Sequence, residues 1–467
     1  MSARILGIDL APRKLALVAL FAFAALIVSQ LPPPAGTPNA MTGLAIVAFT
    51  VALWATAALP ALHSGAIFFA LALATNIAPT IPLLSGFWSN AAALVFGGLM
   101  IGGAAERTGL GRYVARALMS GVATYPRFIA GVLIGSGALS FIVPTTMGRL
   151  AITLPILMAA AKEAGYAPGS RGYIGIILTA VAGNYLTSYA ILPANLTNII
   201  ALGALEGMGV PTLQYGPYLL MCLPVLGILK GLLFWAAVCL LLPAPPPQVD
   251  AATEESPNAL SPAARRLAVL LSITVLLWML DFVHHIKPGW IALAAGLVCL
   301  IPGFALARLE DAVDLNKLTS VFSLAAVLGV ATVLTHSGAG TMIAQGLTQL
   351  VPASGATPVY GFMLITVAAS VIATFATVVG AIAIVTPTLP AIEAASGLPM
   401  TAGIIAELTG LQALFFPFEA VPVMVGLMMG KVAAPATLRI LILLAVTGLI
   451  VIAPLQIAWL KILGVMP

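Results

Sequence analysis

Within one stretch of ten residues, Ser140-Phe-Ile-Val-Pro144-Thr145-Thr146-Met-Gly-Arg149, an otherwise apolar chain places three hydroxyls and a guanidinium. Hydroxyls can donate to an anion or lend oxygen to a cation, and a guanidinium presents a fork that matches carboxylate, sulfate or sulfonate. Asn184, Asn195, Thr197 and Asn198 follow around Pro193, and Ala376-Thr377-Val378 stands far downstream. Glu407 and Glu419 lie in an apolar run, 400–430, with no Lys or Arg before Lys431. A carboxyl in such surroundings is a candidate for proton exchange or for holding sodium. Each residue also has a structural reading. Arg149 could form an ion pair or snorkel to an interface. Ser and Thr commonly pack membrane helices. The acids could be capped, or one of them could pair with Arg149.

The elements that must position these residues follow from composition. The chain has 467 residues, of which 61% are hydrophobic and only 7% are Asp, Glu, Lys or Arg; mean hydropathy is +1.13. A soluble fold cannot cover its surface with so few charges. No Asp, Glu, Lys or Arg occurs between Lys14 and Glu106, nor between Lys317 and Glu393, and a helical span needs about 20 apolar residues. The fold class is therefore all-α, a polytopic membrane protein whose solvent is the lipid bilayer. The net charge of +5 is scattered near segment ends, the pattern of cytoplasmic loops, which gives no footprint for nucleic acid. Cys222, Cys239 and Cys299 share no ligand spacing, and neither do His63, His284, His285 and His336. No cofactor and no resident metal are expected; sodium enters only as a candidate coupling ion.

Arg4, Arg13 and Lys14 precede the apolar run 15–29, which reads as an uncleaved first transmembrane helix with a cytoplasmic N-terminus. Further spans are predicted around 41–60, 64–84, 90–105, 265–283 and 290–307. Residues 106–127 read as an interfacial amphipathic helix, and 308–317 as a second charged patch. The Pro-rich acidic stretch after Pro243 reads as a linker. Four segments result: 1–39 with the first helix, a first repeat over 40–242, a linker over 243–264, and a second repeat over 265–467. The repeat rests on a constant spacing that relates Thr145, Gly148, Pro155 and Gly165 to Thr377, Gly380, Pro387 and Gly397. Pro193-Ala-Asn195 matches Pro417-Phe-Glu419 at a slightly shorter spacing. Each repeat thus carries a re-entrant helical hairpin, with tips at 144–148 and 376–380, and then a broken helix. Breaks at membrane depth persist only against protein or water. Freed carbonyls there can hold a cation, and half-helix N-termini attract an anion.

These motifs resemble the divalent anion:sodium symporter family, in which each repeat carries a Ser-Asn-Thr motif at a hairpin tip and a Pro-rich break in the next helix. Here Pro144-Thr145-Thr146 stands at the first tip with Ser140 four residues before it, Ala376-Thr377-Val378 stands at the second, and Ile191-Leu192-Pro193-Ala194-Asn195 and Phe415-Phe416-Pro417-Phe418-Glu419 stand at the breaks. Both tip asparagines are absent, and Leu192 and Phe416 replace the Thr before each break proline. The resemblance implies two inverted repeats, an elevator-type homodimer, and symport of a small anion such as a dicarboxylate, sulfate or sulfonate with sodium or protons across a bacterial inner membrane. Carried onto this chain, with Arg149 added for its charge, it assigns substrate binding to Pro144, Thr145, Thr146, Arg149, Asn195, Thr377 and Pro417. It assigns ion coupling to Ser140, Thr145, Asn184, Ala376, Thr377 and Glu419. The missing asparagines imply weaker sodium dependence than the family's.

Other classes leave less trace. No HExxH motif and no intramembrane pair of aspartates supports an intramembrane enzyme, and no glycine loop followed by Lys supports ATP-driven transport. The membrane subunit of a tripartite importer would show similar paired breaks and would need a separate solute-binding protein.

Overall fold

The computed structural model describes residues 3–5, 8–10, 12–34, 36–56, 58–110, 113, 124–143, 145–211, 213–247, 260–304, 306–308, 315–349, 357–433 and 436–467. Pro144, most of the interfacial segment 106–127, most of the linker 243–264 and most of the patch 308–317 lie outside the described residues. The fold is all-α, apart from a short antiparallel ribbon that pairs Ala3–Ile5 with Ile8–Leu10. Five described helical stretches are long and apolar enough to cross a bilayer: Pro12–Ser29, Thr80–Ala105, Tyr215–Leu241, Pro358–Ser396 and Leu438–Ile462. Pro12–Ser29 buries none of its residues, and Leu20 and Phe23 are 58% and 62% exposed. Water would not tolerate that surface, whereas hydrocarbon does.

Helix ends follow local chemistry. Thr357 Oγ1 accepts from the Tyr360 N–H ahead of Pro358, and Ser261 Oγ accepts from the Ala264 N–H ahead of Pro262. Both are N-caps with proline in the first turn, where its missing N–H costs nothing. The span expected over 64–84 is interrupted. Its helix stops at Ala74, because Asn76 takes φ 49° and Pro79 opens a separate turn, Thr80–Leu84. The span expected over 290–307 likewise ends at Leu300, ahead of Pro302-Gly303.

Two compact units emerge, and neither coincides with a half of the sequence. One gathers 1–92, 200–212 and 318–407; the other gathers 93–199, 213–317 and 408–467. In the first, the leading helix packs Leu17, Val18, Phe21 and Ala25 over a core of Phe49, Leu53, Ala58 and Leu59. Phe69, Phe87 and Phe322 meet there edge to face. In the second, Ile101, Ala104, Val143, Leu267, Leu271 and Cys299 form the core beside the first hairpin.

The element order repeats along the chain. Helices Tyr125–Ile142 and Thr146–Glu163 are followed by Arg171–Ser188, a 3₁₀ turn Leu192–Ala194, Leu196–Gly207 and Tyr215–Leu241. Downstream, Pro358–Val385 with a non-helical Thr377 leads to Met400–Leu411, a 3₁₀ turn Pro417–Glu419, Val421–Met429 and Leu438–Ile462. Even the irregularities recur, since the closing helix of each series contains a π-helical segment, Leu223–Leu229 in one and Gly448–Ile452 in the other. The two breaks share one backbone path: Ile191 (φ −122°, ψ 112°) matches Phe416 (−128°, 144°), and Asn195 (−134°, 127°) matches Ala420 (−123°, 111°). This register pairs Asn195 with Ala420, one residue away from the proline-on-proline alignment that pairs it with Glu419.

Candidate functional site

The first tip and the first break meet inside one compact unit. Helix Tyr125–Ile142 ends at Val143, whose backbone is extended, and helix Thr146–Glu163 starts after Thr145. Thr145 caps that start, its Oγ1 accepting from the Gly148 N–H at 3.2 Å. A Cβ built on Gly102 would stand 3.9 Å from that oxygen, in ordinary van der Waals contact, so the Gly102 backbone lies close beside the Thr145 hydroxyl.

Arg149 is completely buried and joins tip to break. Its Nη1 donates to Val143 O (2.7 Å) and to Ala194 O (3.0 Å). Its Nη2 donates to Thr146 Oγ1 (3.1 Å) and to Asn184 O (3.0 Å). All four η hydrogens are therefore spent on protein oxygens, and Nε has no partner. The fork expected to face an anion is closed. What Arg149 supplies to the site is charge and a rigid link between two helix starts, those of Thr146–Glu163 and Leu196–Gly207. Helix N-termini and a buried cation all favour an anion beside them.

The break is held open by amides. Asn198 Nδ2 donates to the carbonyls of Ser188, Tyr189 and Ile191 at 3.1–3.2 Å, which satisfies the end of helix Arg171–Ser188. Asn195 donates to Ser188 Oγ (3.1 Å) and accepts from the Thr197 N–H (3.0 Å). Asn184 donates to Ala180 O at 2.7 Å, while its Oδ1 is buried and has no partner. Ser140 donates back to Ser136 O at 3.0 Å, so its hydroxyl hydrogen stays inside its own helix.

In the second series, Thr377 adopts φ 61° and ψ 164°, inside what is otherwise one helix from Pro358 to Val385. That region is essentially reserved for glycine, so a β-branched residue there marks a backbone held against its preference. Ala376 beside it is buried. At the second break, Pro417 opens the 3₁₀ turn, and Glu419 Oε1 accepts from the N–H groups of Phe415 (3.2 Å) and Phe416 (2.9 Å). Glu419 thus caps the break. Glu407 is also fully buried, and Thr386 Oγ1 lies 2.9 Å from both of its oxygens. Among the described residues no cluster of three or more His, Cys, Asp or Glu could hold a metal ion.

One pair escaped the sequence reading. Lys230, 2% exposed, donates to Gln412 O (3.0 Å) and Oε1 (3.3 Å). Gln412 Nε2 donates in turn to Leu186 O (2.8 Å). Leu186 and Gln412 each lie just before a break, so an ammonium bridges the two broken regions. Lys230 is the only charged residue between Tyr215 and Leu241, and that isolation is the signal that could have found it.

The sequence profile of the sodium:sulfate symporter transmembrane region matches residues 12–466. A membrane protein of Cupriavidus necator is 28% identical over 302 residues, 60% of this chain and 58% of that protein. The L-tartrate/succinate antiporter of Escherichia coli K12 is 26% identical over 269 residues, 55% of this chain and 54% of that one. The match thus spans little more than half the length of these curated relatives. The YdaH transporter of Alcanivorax borkumensis, whose crystal structure has an unusual topology, superposes with a TM-score of 0.58 over 96% of this chain and 98% of that one, at 15% identity. That likeness is one of fold alone. With a profile match along nearly its whole length, this integral membrane protein belongs to the sodium:sulfate symporter family.

Proposed function

We propose that the chain is a secondary active transporter that carries a small anion, of the dicarboxylate, sulfate or sulfonate class, across a bacterial inner membrane, driven by a sodium or proton gradient. The observation that carries this reading is the meeting of tip and break at Arg149. Two helix N-termini and a buried cation converge there, an arrangement that attracts anions. Thr145, beside Gly102, is the first-tip ligand, and Thr377 is its counterpart at the second. Asn195 and Pro417 shape the breaks, and Glu419 is the candidate coupling carboxylate. The tartrate/succinate relative favours dicarboxylates, and the family's own description favours sulfate. We assign the two series of elements to inverted halves of a homodimer subunit whose N-terminus is cytoplasmic.

The test is uptake by proteoliposomes holding the purified chain. Succinate, tartrate, sulfate and an alkyl sulfonate are offered with sodium and pH gradients imposed separately. Accumulation of at least one anion, driven by one gradient, is expected. Failure to accumulate or exchange any of them would overturn the proposal.

A further inference from the structure

We infer that Arg149 is a tethered cation standing where a dissolved sodium ion would otherwise be needed, in an oxygen cage built by the first tip and the first break. This rests on the transport reading above and deepens it. The partners of the guanidinium are the carbonyls of Val143, Asn184 and Ala194 and the hydroxyl of Thr146, all within 2.7–3.1 Å. Neutral oxygens drawn from a helix C-terminal end and an unwound turn are the donor set that hard cations take from broken helices. All four of these partners are neutral, so the charge is left for something that comes and goes. An ion pair would have neutralised it permanently.

A buried charge with no counter-ion costs several kcal/mol, and closing a hairpin does not require one. The second series does without it: there the position matching Arg149 is Ala381, fully buried. The cage at the first tip is therefore filled at every sodium concentration.

Thermal unfolding of the purified full-length chain, in sodium chloride against choline chloride, tests this without using transport. The comparison is between wild type, Arg149→Gln and Arg149→Lys. Arg149→Gln should unfold earlier than wild type and gain a sodium-specific rise of at least about 2 °C that wild type lacks. Millimolar guanidinium chloride should restore part of the loss. Arg149→Lys, still a cation, should gain no such sodium response. An Arg149→Gln protein as stable as wild type, or one that answers to neither sodium nor guanidinium, would overturn the inference. If Arg149→Gln yields no folded protein, Arg149→Lys decides: a folded Lys variant means charge is what the cage requires, and an equally unfolded one means only the planar hydrogen-bond geometry matters, which overturns it. Should uptake fail for every anion while these shifts appear, the transport proposal falls and the tethered cation stands.

Discussion

Glu419 and Glu407 are both carboxyls in apolar surroundings, and they are held in opposite ways. Glu419 receives two backbone N–H groups across a break, so it closes a gap in the chain's own hydrogen bonding. Glu407 receives a hydroxyl from Thr386. The difference sharpens one substitution. Gln keeps the accepting oxygen that caps Phe415 and Phe416 and removes only the charge, whereas Ala leaves both N–H groups bare. Glu419→Ala should cost about 1–3 kcal/mol, and Glu419→Gln should cost little; thermal unfolding measures both. In the folded Gln variant, the sodium or pH dependence of uptake should flatten. An unchanged dependence would leave Glu419 as a cap alone. The presence of a buried acid was legible from its apolar neighbours, but its role was not, because the capping partners are backbone groups that carry no sequence signature.

At the scale of elements, the points where helices stop or kink were the most legible features. Proline, glycine and threonine punctuate the chain where helices stop, and their constant spacing predicts the second tip at Thr377, where the helix does kink. The register of the second break reads one residue out in the sequence, since a proline can occupy either the first or the second position of a 3₁₀ turn and residue type does not distinguish them. The Lys230–Gln412 link is hidden for a different reason: its partners are far apart in sequence, and only packing brings them together. Thr377 itself supports a prediction. Glycine adopts φ 61° and ψ 164° freely, so Thr377→Gly should raise stability by about 1–3 kcal/mol. It should also weaken anion uptake by removing a hydroxyl from the second tip. Chemical denaturation and uptake kinetics on the same preparation check the two signs. A variant that is stabilised and fully active would show that the strained threonine has no part in the site.

At the scale of the whole molecule, composition settled the class, while the compact units draw on both halves of the sequence. Linear spacing cannot report that interleaving, because it depends on which segments fold back on which. Helical geometry does carry one further consequence. A π segment winds an extra residue into a helix, so whatever follows is turned by about 100° relative to what precedes it. Lys230 comes immediately after the first such segment. The surplus residue therefore acts as an aiming device, directing the ammonium inward to Gln412. With one residue fewer, the same lysine would swing toward neighbouring helices or lipid tails, where it would have nothing to bond. Deleting Ile228 should accordingly collapse the yield of folded protein, and adding Lys230→Met to the deletion should recover much of it, since methionine has no charge to misdirect. Equal yields from the two deletion variants would mean that the winding serves packing, and that the lysine merely happens to follow it.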